Sequence, residues 1–526
     1  MRVANGKWFI ASRDIYRATC DHCVKLAMAV AAGNAWANEQ VKPFIETGDK
    51  IQFLQGNQYE DLRFAEIRES LEPGLFLELE PRVDKFTVKK ALDARIPVIA
   101  QAFLDADYGV AMLTGYADLL VREDYELALV NGKLTAHKLP GTPDSSNYVP
   151  YDVKLSSDAK ANHWHQVYGY YEALQQMGIA SDRDLGIITK TAIVNKPVAE
   201  CREAIEEIRQ PFFYFLENNS PQDAETWENL ELHCPTPTTC DDIYCEYPKL
   251  CVQDRINLDM FTQLYYNGNG AAPKLQAVGI NTVTELAKLD PEQDIVGIPK
   301  LASLITEAKL IINEKNNTEP KFLKKPTATQ TIPNPTPGDI FFDLEWFNPL
   351  GLEKEINYIF GWVDADGKFD YFEAHDLKQE KIAFENFVAF ALNNIEKYPE
   401  SHIYHWHSPE SKGLVKLANF YGILQGEVDQ ILKHMVDLRP IAIDRLWVGV
   451  GGYSLKQLEH YYQDDRGRDT DTKDGADSQV QYFKYQAAVE ASKHEEAAQI
   501  LSDIYEYNEA DCESTRGAFH WLRTFD

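Results

Sequence analysis

Two regions of the chain alternate hydrophobic and polar positions as β-strands do. In the first region the strand-like runs are GVAMLTGYADLLVR, ELALVNGKLTAHKL and YVPYDVKLS, and a helical pattern follows from Asn162 to Met177. In the second region, strand patterns begin with DIFFDLEWF and continue through INYIFGWVDADGKFDYFEAH and SHIYHWH, with helices between them. Strands interleaved with helices in both regions predict the α/β fold class.

A polar segment separates the two regions. The run NEKNNTEPKFLKKPTATQTIPNPTPGD is rich in Pro, Thr, Asn and Lys and lacks apolar periodicity, which predicts a linker. Short helices joined by tight turns are predicted just before it. We therefore expect a domain at 1–255, a helical segment at 256–315, a linker at 316–337 and a second domain at 338–526.

Composition agrees with more than one folded domain. A chain of 526 residues is too long for a single core, and 44% hydrophobic residues with 12% aromatics are typical of a folded, soluble protein. No stretch is apolar for long enough to span a membrane, and the N-terminus lacks the basic-then-apolar order of a signal peptide. A cytoplasmic protein without a membrane partner is expected.

The net charge of −30 limits the functional classes. It argues against a uniformly basic surface that coats nucleic acid, but metal-binding carboxylates in a nuclease also raise acidity. The chain has no G-x-x-x-x-G-K-[ST] motif, so any helicase would be a separate partner.

Carboxylates in the second region have the spacing of a metal site. Asp343 and Glu345 alternate in FFDLEW, so both point to one face of a strand. Tyr507 and Asp511 lie one helical turn apart in IYEYNEADCEST and share a helix face. Three carboxylates from two elements suit a pair of Mg²⁺ or Mn²⁺ ions that promote attack on a phosphate.

This pattern resembles the RNase H-like 3′–5′ exonucleases of the DEDDy type over about residues 338–526. The resemblance implies an RNase H-like mixed sheet, metal binding by the acids, and a tyrosine, Tyr507, that orients the attacking water. The family's fourth acid usually lies in an N-x-x-x-F-D segment, which is absent. We assign Glu410 of IYHWHSPESKGLVKLA to that role, with Asp437 of MVDLRP as the reserve. His405 and His407 are expected to frame the site rather than bind metal.

The first region contains a separate candidate centre. Glu60 lies in a helical pattern, Asp118 ends a strand pattern, and Asp152 and Lys154 alternate along YDVKLS. Asp118 and Asp152 would hold Mg²⁺ with help from Glu60. Lys154 would position or deprotonate the attacking water and stabilise the developing charge. The alternative is a surface strand with solvated charges.

The order GNQYE, GYAD, DVK and QVYGY resembles the RecB-like branch of the PD-(D/E)xK nucleases over about residues 10–255. The resemblance implies a restriction-endonuclease-like domain. It also implies that Gln166 and Tyr170, which match the Q-x-x-x-Y motif of that branch, contact DNA and brace the site.

The cysteines are grouped, which in a large cytosolic chain predicts metal binding rather than disulfides. The two groups are Cys20 with Cys23, and Cys234, Cys240, Cys245 with Cys251. Some RecB-like nucleases hold an iron–sulfur cluster between one N-terminal and three later cysteines, and this likeness implies a 4Fe–4S cluster. The implied ligands are Cys20, Cys240, Cys245 and Cys251, with Cys23 and Cys234 as competitors. A Zn²⁺ site at the four later cysteines, or buried unligated thiols, remain as alternatives.

The predicted helical segment contains LQAVGINTVTELAKL, which resembles a helix-hairpin-helix. Gly279 would form the turn and Thr282 would cap the next helix, so that backbone N–H groups face a DNA phosphate. A helical connector without a nucleic-acid role is the alternative.

Together these patterns predict a metal-dependent DNA nuclease with two centres, one of them a 3′–5′ exonuclease. Its expected partner is DNA that is single-stranded or has free ends, in DNA repair or in defence against foreign DNA. Two alternatives remain: a nucleic-acid-binding scaffold with one inactive core, and an RNA-processing exonuclease.

Overall fold

The computed structural model describes residues 1–17, 20–44, 50–80, 84–227, 247–265, 270–292, 297–298, 300–350, 354–463 and 475–526. The chain forms two compact units, one of residues 1–48 and 52–254 and the other of residues 49–51 and 255–526. Across these described ranges, every helix is too short or too polar to cross a membrane.

The first unit combines a mixed sheet with helices. Its strands are β1 (Arg2–Ala4), β2 (Lys7–Ile10), β3 (Phe76–Glu78), β4 (Val98–Asp107), β5 (Ala111–Arg122), β6 (Tyr125–Val130), β7 (Lys133–Lys138), β8 (Tyr148–Val153), β9 (Leu185–Ile188) and β10 (Ile193–Lys196). Its helices are α1 (Ser12–Tyr16), α2 (Asp21–Ala31), α3 (Ala35–Val41), α4 (Ile51–Ser70), α5 (Lys85–Asp93), α6 (Ala161–Gln176), α7 (Val198–Glu217), α8 (Pro221–Glu225) and α9 (Pro248–Asn257), the last of which continues into the second unit.

Strand β5 is the centre of the first sheet. It pairs in parallel with β2 and antiparallel with β4 and β8, and the sheet continues through β9 to β10. Its second half, 117–122, is buried, as is every residue of β8. Helix α6 packs against β4 and β8. The polar residues of β5 and β8 therefore lie inside the domain, where an uncompensated charge is costly.

Several predicted elements of this unit are confirmed. The helix predicted from Asn162 to Met177 is α6, and the run ELALVNGKLTAHKL forms the hairpin β6–β7. Asn131 and Gly132 have φ of 52° and 80°, as a tight hairpin turn requires. Asp118 lies inside β5 rather than at its end. Strand β4 remains paired with β5 past this position, as far as Val121.

The second unit begins with helices and ends with a second mixed sheet. Its strands are β11 (Phe322–Lys324), β12 (Ile340–Phe347), β13 (Ile356–Asp364), β14 (Phe369–Glu373), β15 (Ile403–His405), β16 (Met435–Asp437) and β17 (Leu446–Val448). Its helices are α10 (Ala271–Ala277), α11 (Val283–Ala287), α12 (Leu301–Lys315), α13 (Leu377–Lys397), α14 (Pro409–Tyr421), α15 (Gln425–Leu432), α16 (Leu438–Arg445), α17 (Leu455–Leu458), α18 (Gly475–Glu490) and α19 (His494–Arg523). Short 3₁₀ turns occupy Lys42–Phe44 in the first unit and Phe261–Gln263 and Glu459–Tyr461 in the second.

The second sheet has the strand order β14-β13-β12-β15-β16. Strands β12, β13 and β14 are antiparallel neighbours, whereas β15 and β16 run parallel to β12. Helix α19 packs against β12 and β13. This packing brings the acids of FFDLEW and the YNEAD turn of α19 to the same part of the domain.

The segment predicted as a linker contains the short strand β11, which pairs with β17. Phe322 of β11 makes edge-on ring contacts with Tyr461, Trp521 and Phe525. These aromatic contacts, rather than any local pattern, order β11, because Phe322 is an isolated aromatic in a polar stretch.

Gly186 provides a test of packing in the first sheet. It faces Tyr151 across β8 and β9, and a Cβ at position 186 would lie 2.0 Å from a carbon of the Tyr151 ring. We expect Gly186→Ala to destabilise the protein by about 1–3 kcal/mol, the usual cost of overpacking. The measurement is urea unfolding followed by circular dichroism.

The matched control is Gly56→Ala in α4, where a Cβ meets no heavy atom within 4 Å. This control should be neutral or stabilising by up to about 1 kcal/mol, since alanine is the better helix former. Equal stability of the two variants would contradict the packing described for Gly186.

Candidate active sites

Three carboxylates of the second unit meet at one point. Asp343 and Glu345 project from β12 and Asp511 projects from α19, and one oxygen of each lies within 4.8 Å of the others. Glu345 is buried and the other two are half-buried. Among the described residues, no other three histidines, cysteines or acids come this close together. Such a set of hard oxygen donors is what Mg²⁺ and Mn²⁺ prefer.

Neutral groups hold the first two acids in place. Asn508 Nδ2 donates to Asp343 Oδ2 at 2.7 Å. Ser478 Oγ and Tyr358 Oη donate to Glu345 Oε2 at 3.0 and 3.3 Å. Sequence reasoning did not select Asn508, Ser478 or Tyr358. The only signal was a polar residue, Asn508, directly after Tyr507 on a buried helix face.

Burial and the crowding of negative charge raise the pKa of groups in this site. Burial, with the neighbouring Asp511 carboxylate, raises the pKa of Glu345 from 4.5 to about 7. Burial and the three carboxylates also raise the pKa of the Tyr507 phenol far above its usual value. Tyr507 therefore stays protonated at neutral pH and can donate a hydrogen bond.

A lysine stands next to that tyrosine. Lys456 of α17 places its Nζ 3.5 Å from Tyr507 Oη and 5.2 Å from the centre of the Tyr507 ring. The Lys456 charge also lowers the pKa of Glu345, although burial and Asp511 outweigh it. Sequence reasoning missed Lys456, because it lies about fifty positions from Tyr507 in a segment without a motif.

Glu410, the predicted fourth acid, is buried at the start of α14 but stands outside the three-carboxylate set. Its Oε2 lies 3.3 Å from His405 Nδ1, and burial raises its pKa while His405 opposes the shift. The reserve, Asp437, pairs in register with His405 and accepts a hydrogen bond from the His407 N–H at 2.8 Å. These four residues form a separate polar group at the ends of β15 and β16.

In the first unit, the structure brings Asp118, Asp152 and Lys154 together. Lys154 Nζ lies 2.8 Å from Asp152 Oδ2 and 3.8 Å from Asp118 Oδ2. Asp118 Oδ2 also accepts the Val153 N–H at 2.7 Å. Burial lowers the pKa of Lys154, but the charges of Asp152 and Asp118 outweigh it, so the pKa is raised and the ammonium is retained. Burial raises the pKa of Asp152, which is fully enclosed.

Glu60 of α4 faces the same group. Burial, with the charge of Asp118, raises the pKa of Glu60 to about 8. Gln101 Nε2 donates to Glu60 Oε2 at 3.2 Å, and Gln101 has a left-handed φ of 58° within β4. Such a backbone conformation is strained for a residue other than glycine and is typical of functional sites. Nothing in the sequence marked Gln101.

Gln166 and Tyr170 lie beside this group on α6. Gln166 Nε2 donates to Tyr170 Oη at 3.0 Å, and both residues line a cavity of about 540 Å³. Arg13, Asn57 and Thr114 are among the other lining residues. The charges of Asp118 and Asp152 add to burial in raising the pKa of the Tyr170 phenol. The cavity is therefore polar, and it lies next to the acids.

The predicted hairpin lies between α10 and α11. Gly279 has a φ of 82°, and Thr282 Oγ1 accepts the Glu285 N–H at 3.1 Å as the cap of α11. Glu285 Oε2 in turn accepts the Asn281 N–H at 2.6 Å. A phosphate at this hairpin would compete with the Glu285 carboxylate for that backbone donor.

Three of the described cysteines, Cys20, Cys23 and Cys251, belong to two helices that approach each other. Cys20 caps α2 and lies buried against Cys23, and Cys251 Sγ of α9 is 3.2 Å from His22 Nδ1 on α2. Cys234, Cys240 and Cys245 lie outside the described residues. Within the described part of the chain, these cysteines and His22 do not form a set of three at metal-binding distance.

The raised pKa of Glu345 predicts a specific pH dependence of stability. Between pH 4.5 and about 7 the folded protein retains a proton on Glu345 that the unfolded chain releases, so stability from this group falls as pH rises. In EDTA, Glu345→Gln should therefore be more stable than the parent at pH 8, by roughly 1–3 kcal/mol. The difference should shrink at pH 5.

Urea unfolding at the two pH values measures this effect. Glu385→Gln, on the exposed face of α13, is the control and should show no such pH-dependent gain. A Glu345→Gln variant that is less stable than the parent at both pH values would contradict the raised pKa of Glu345.

Comparison with known proteins agrees with the geometry of the second unit. Residues 340–523 match the family model of the RNase_H superfamily. No curated protein and no solved structure matches the chain. The matched region contains Asp343, Glu345 and Asp511, and together the match and the acids favour a nuclease-type function. The C-terminal part of this chain is an RNase H-like domain.

Proposed function

We propose that the chain is a metal-dependent nuclease that degrades DNA and has two nuclease centres, of which the C-terminal one is a 3′–5′ exonuclease. The observation that carries the proposal is the convergence of Asp343, Glu345 and Asp511 within an RNase H-like domain. The chemistry suits processing of free DNA ends in repair or in defence against foreign DNA.

The donor set fits divalent cations. Asp343, Glu345 and Asp511 would hold Mg²⁺ or Mn²⁺, because they offer hard oxygen ligands from two rigid elements. When bound, such ions polarise the scissile phosphate and favour ionisation of the attacking water. The elevated pKa of Glu345 supports this assignment, since a nearby cation would stabilise the charged carboxylate that burial and Asp511 disfavour.

The protein's own groups would orient the reaction. Tyr507 is a protonated phenol beside the acids, so it can hydrogen-bond the attacking water or a phosphate oxygen. Lys456, 3.5 Å from Tyr507 Oη, adds positive charge for the phosphate. The 3′–5′ direction is proposed from the Tyr507-x-x-x-Asp511 spacing, which resembles the DEDDy pattern.

The first unit would supply the second centre. Asp118, Asp152 and Glu60 would hold the metal, and Gln166 and Tyr170 would contact the DNA along the adjacent cavity. The raised pKa of Lys154 favours one of its two predicted roles. A retained ammonium donates hydrogen bonds and stabilises developing negative charge, whereas a general base would need a lowered pKa.

A structural 4Fe–4S cluster in the first unit is also proposed. It is supported by the approach of Cys251 to the helix that contains Cys20 and Cys23, which joins the two ends of this unit. Cys20 and Cys251 would be ligands together with Cys240 and Cys245, which lie outside the described residues. Four thiolates leave no open position for a substrate, so the cluster would stabilise rather than catalyse.

The main test is degradation of end-labelled DNA with Mg²⁺ or Mn²⁺. Asp343→Ala should abolish 3′-end trimming, by about 10³-fold or more, because it removes a metal ligand. Lys154→Ala should leave the 3′-end trimming intact and abolish cleavage by the proposed centre of the first unit. The double variant should be inactive on single- and double-stranded substrates.

Two exposed residues serve as controls: Asp370→Ala on β14 and Lys133→Ala on β7 should retain full activity. A double variant that cuts as well as the parent would refute both assignments. Products shortened only from the 5′ end in the Lys154→Ala background would refute the proposed polarity. Much faster degradation of RNA than of DNA would show that RNA is the substrate.

The cluster has a separate test. Anaerobically purified protein should be brown, contain about four iron atoms per chain and lose both colour and thermal stability on Cys20→Ser. Cys201→Ser, a buried cysteine outside both groups, is the control and should leave the iron content unchanged. A colourless protein with about one zinc, unaffected by Cys20→Ser, would refute the cluster and favour the zinc alternative.

A further inference from the structure

We propose that Asn508 is a positioning residue of the carboxylate site, which fixes Asp343 for metal binding, and that Gly361 provides the space that Asn508 needs. This inference rests on the proposed metal-dependent function of the RNase H-like domain. It assigns roles to two residues that carry no chemistry of their own.

The contact between Asn508 and Asp343 is direct. Asn508 is fully buried, and its Nδ2 donates to Asp343 Oδ2 at 2.7 Å. Asn508 lies three residues before Asp511, so the two side chains share a face of α19. The helix therefore presents one metal ligand and the support of another ligand side by side.

Gly361 of β13 lies directly against the Asn508 side chain. It pairs in register with Asp343 across β12 and β13. A Cβ at position 361 would lie 1.7 Å from Asn508 Oδ1 and 2.9 Å from Asn508 Cγ. Any residue larger than glycine would therefore displace the amide from Asp343 or push α19 away from the sheet.

The amide is not explained by packing alone. Asn508 Oδ1 is buried and has no hydrogen-bond partner among the described residues. An unsatisfied buried carbonyl costs stability, and an apolar side chain of similar size would avoid that cost. The benefit of the amide is its N–H group, which orients a carboxylate without neutralising it. Hydrogen bonds of this kind to a ligating carboxylate are typical of metal sites.

Direct measurement of Mn²⁺ binding tests the proposal. Electron paramagnetic resonance titration of the full chain should separate the Mn²⁺ sites that Asp343→Ala removes from those of the first unit. The sites that Asp343→Ala removes should bind about 10–100-fold more weakly in Asn508→Leu than in the parent, the usual loss when a ligand's support is removed. The leucine variant should be about as stable as the parent in EDTA, because it keeps the branched shape of asparagine and removes the unsatisfied oxygen, which offsets its slightly larger size. Weaker binding without lost stability is a result that a purely structural role does not produce.

Gly361→Ala approaches the same contact from the opposite side. It should also weaken Mn²⁺ binding, because the new methyl group displaces Asn508. Two variants in the same domain are matched controls. Asn394→Ala removes a hydrogen bond from Nδ2 to the Gly338 carbonyl, and Gly426→Ala adds a methyl group where no heavy atom lies within 4 Å. Both should leave Mn²⁺ affinity unchanged.

The outcomes separate this inference from the proposed function. If the parent and Gly426→Ala bind Mn²⁺ but Asn508→Leu binds it equally well, Asn508 does not position Asp343. If the parent binds no Mn²⁺ at all, or binds it undiminished after Asp343→Ala, the metal site itself is wrong. Weakened binding in Asn508→Leu with parental affinity in Gly361→Ala would remove Gly361 alone from the proposal.

Discussion

The repulsion among carboxylates that share a buried site is the constraint on which the second unit depends. Burial, together with the neighbouring Asp511 carboxylate, raises the pKa of Glu345 to about 7. The fold opposes the repulsion with neutral donors, Ser478 and Tyr358 on Glu345 and Asn508 on Asp343. Neutral donors align oxygens without cancelling charge, so the three acids stay suited to holding a cation.

The first unit meets the same problem with a different solution. There the ammonium of Lys154 lies within 4 Å of both Asp118 and Asp152, so two of the three acids already have a counter-charge from the chain. Burial, with the charge of Asp118, nevertheless raises the pKa of Glu60 to about 8. A cation entering this centre must share the carboxylates with Lys154. The two proposed centres should therefore differ in metal affinity.

Local sequence patterns were sufficient where the chemistry follows the period of an element. The alternation of Asp343 with Glu345 and the helical spacing of Tyr507 and Asp511 predicted which groups share a face, and the structure brings these acids together. The positions of Lys456, Ser478 and Gln101 beside the acids depend on which helices and strands meet in three dimensions, and no local period predicts that. Glu410 illustrates the same limit: its helix start was predictable, but its distance from the other acids depends on the packing of α14 against β12.

The net charge of −30 adds a final constraint on the substrate. A polyanion such as DNA gains little from long-range attraction to an acidic chain, so binding must come from short-range contacts at the sites. Lys456 beside Tyr507 and Arg13 in the cavity near Tyr170 are cations in suitable positions, but each is a single charge. Bound divalent ions would supply most of the remaining attraction, because they neutralise the carboxylates and contact the phosphate together. On the proposed function, substrate binding and metal binding would be coupled, and removal of metal should weaken DNA binding as well as cleavage.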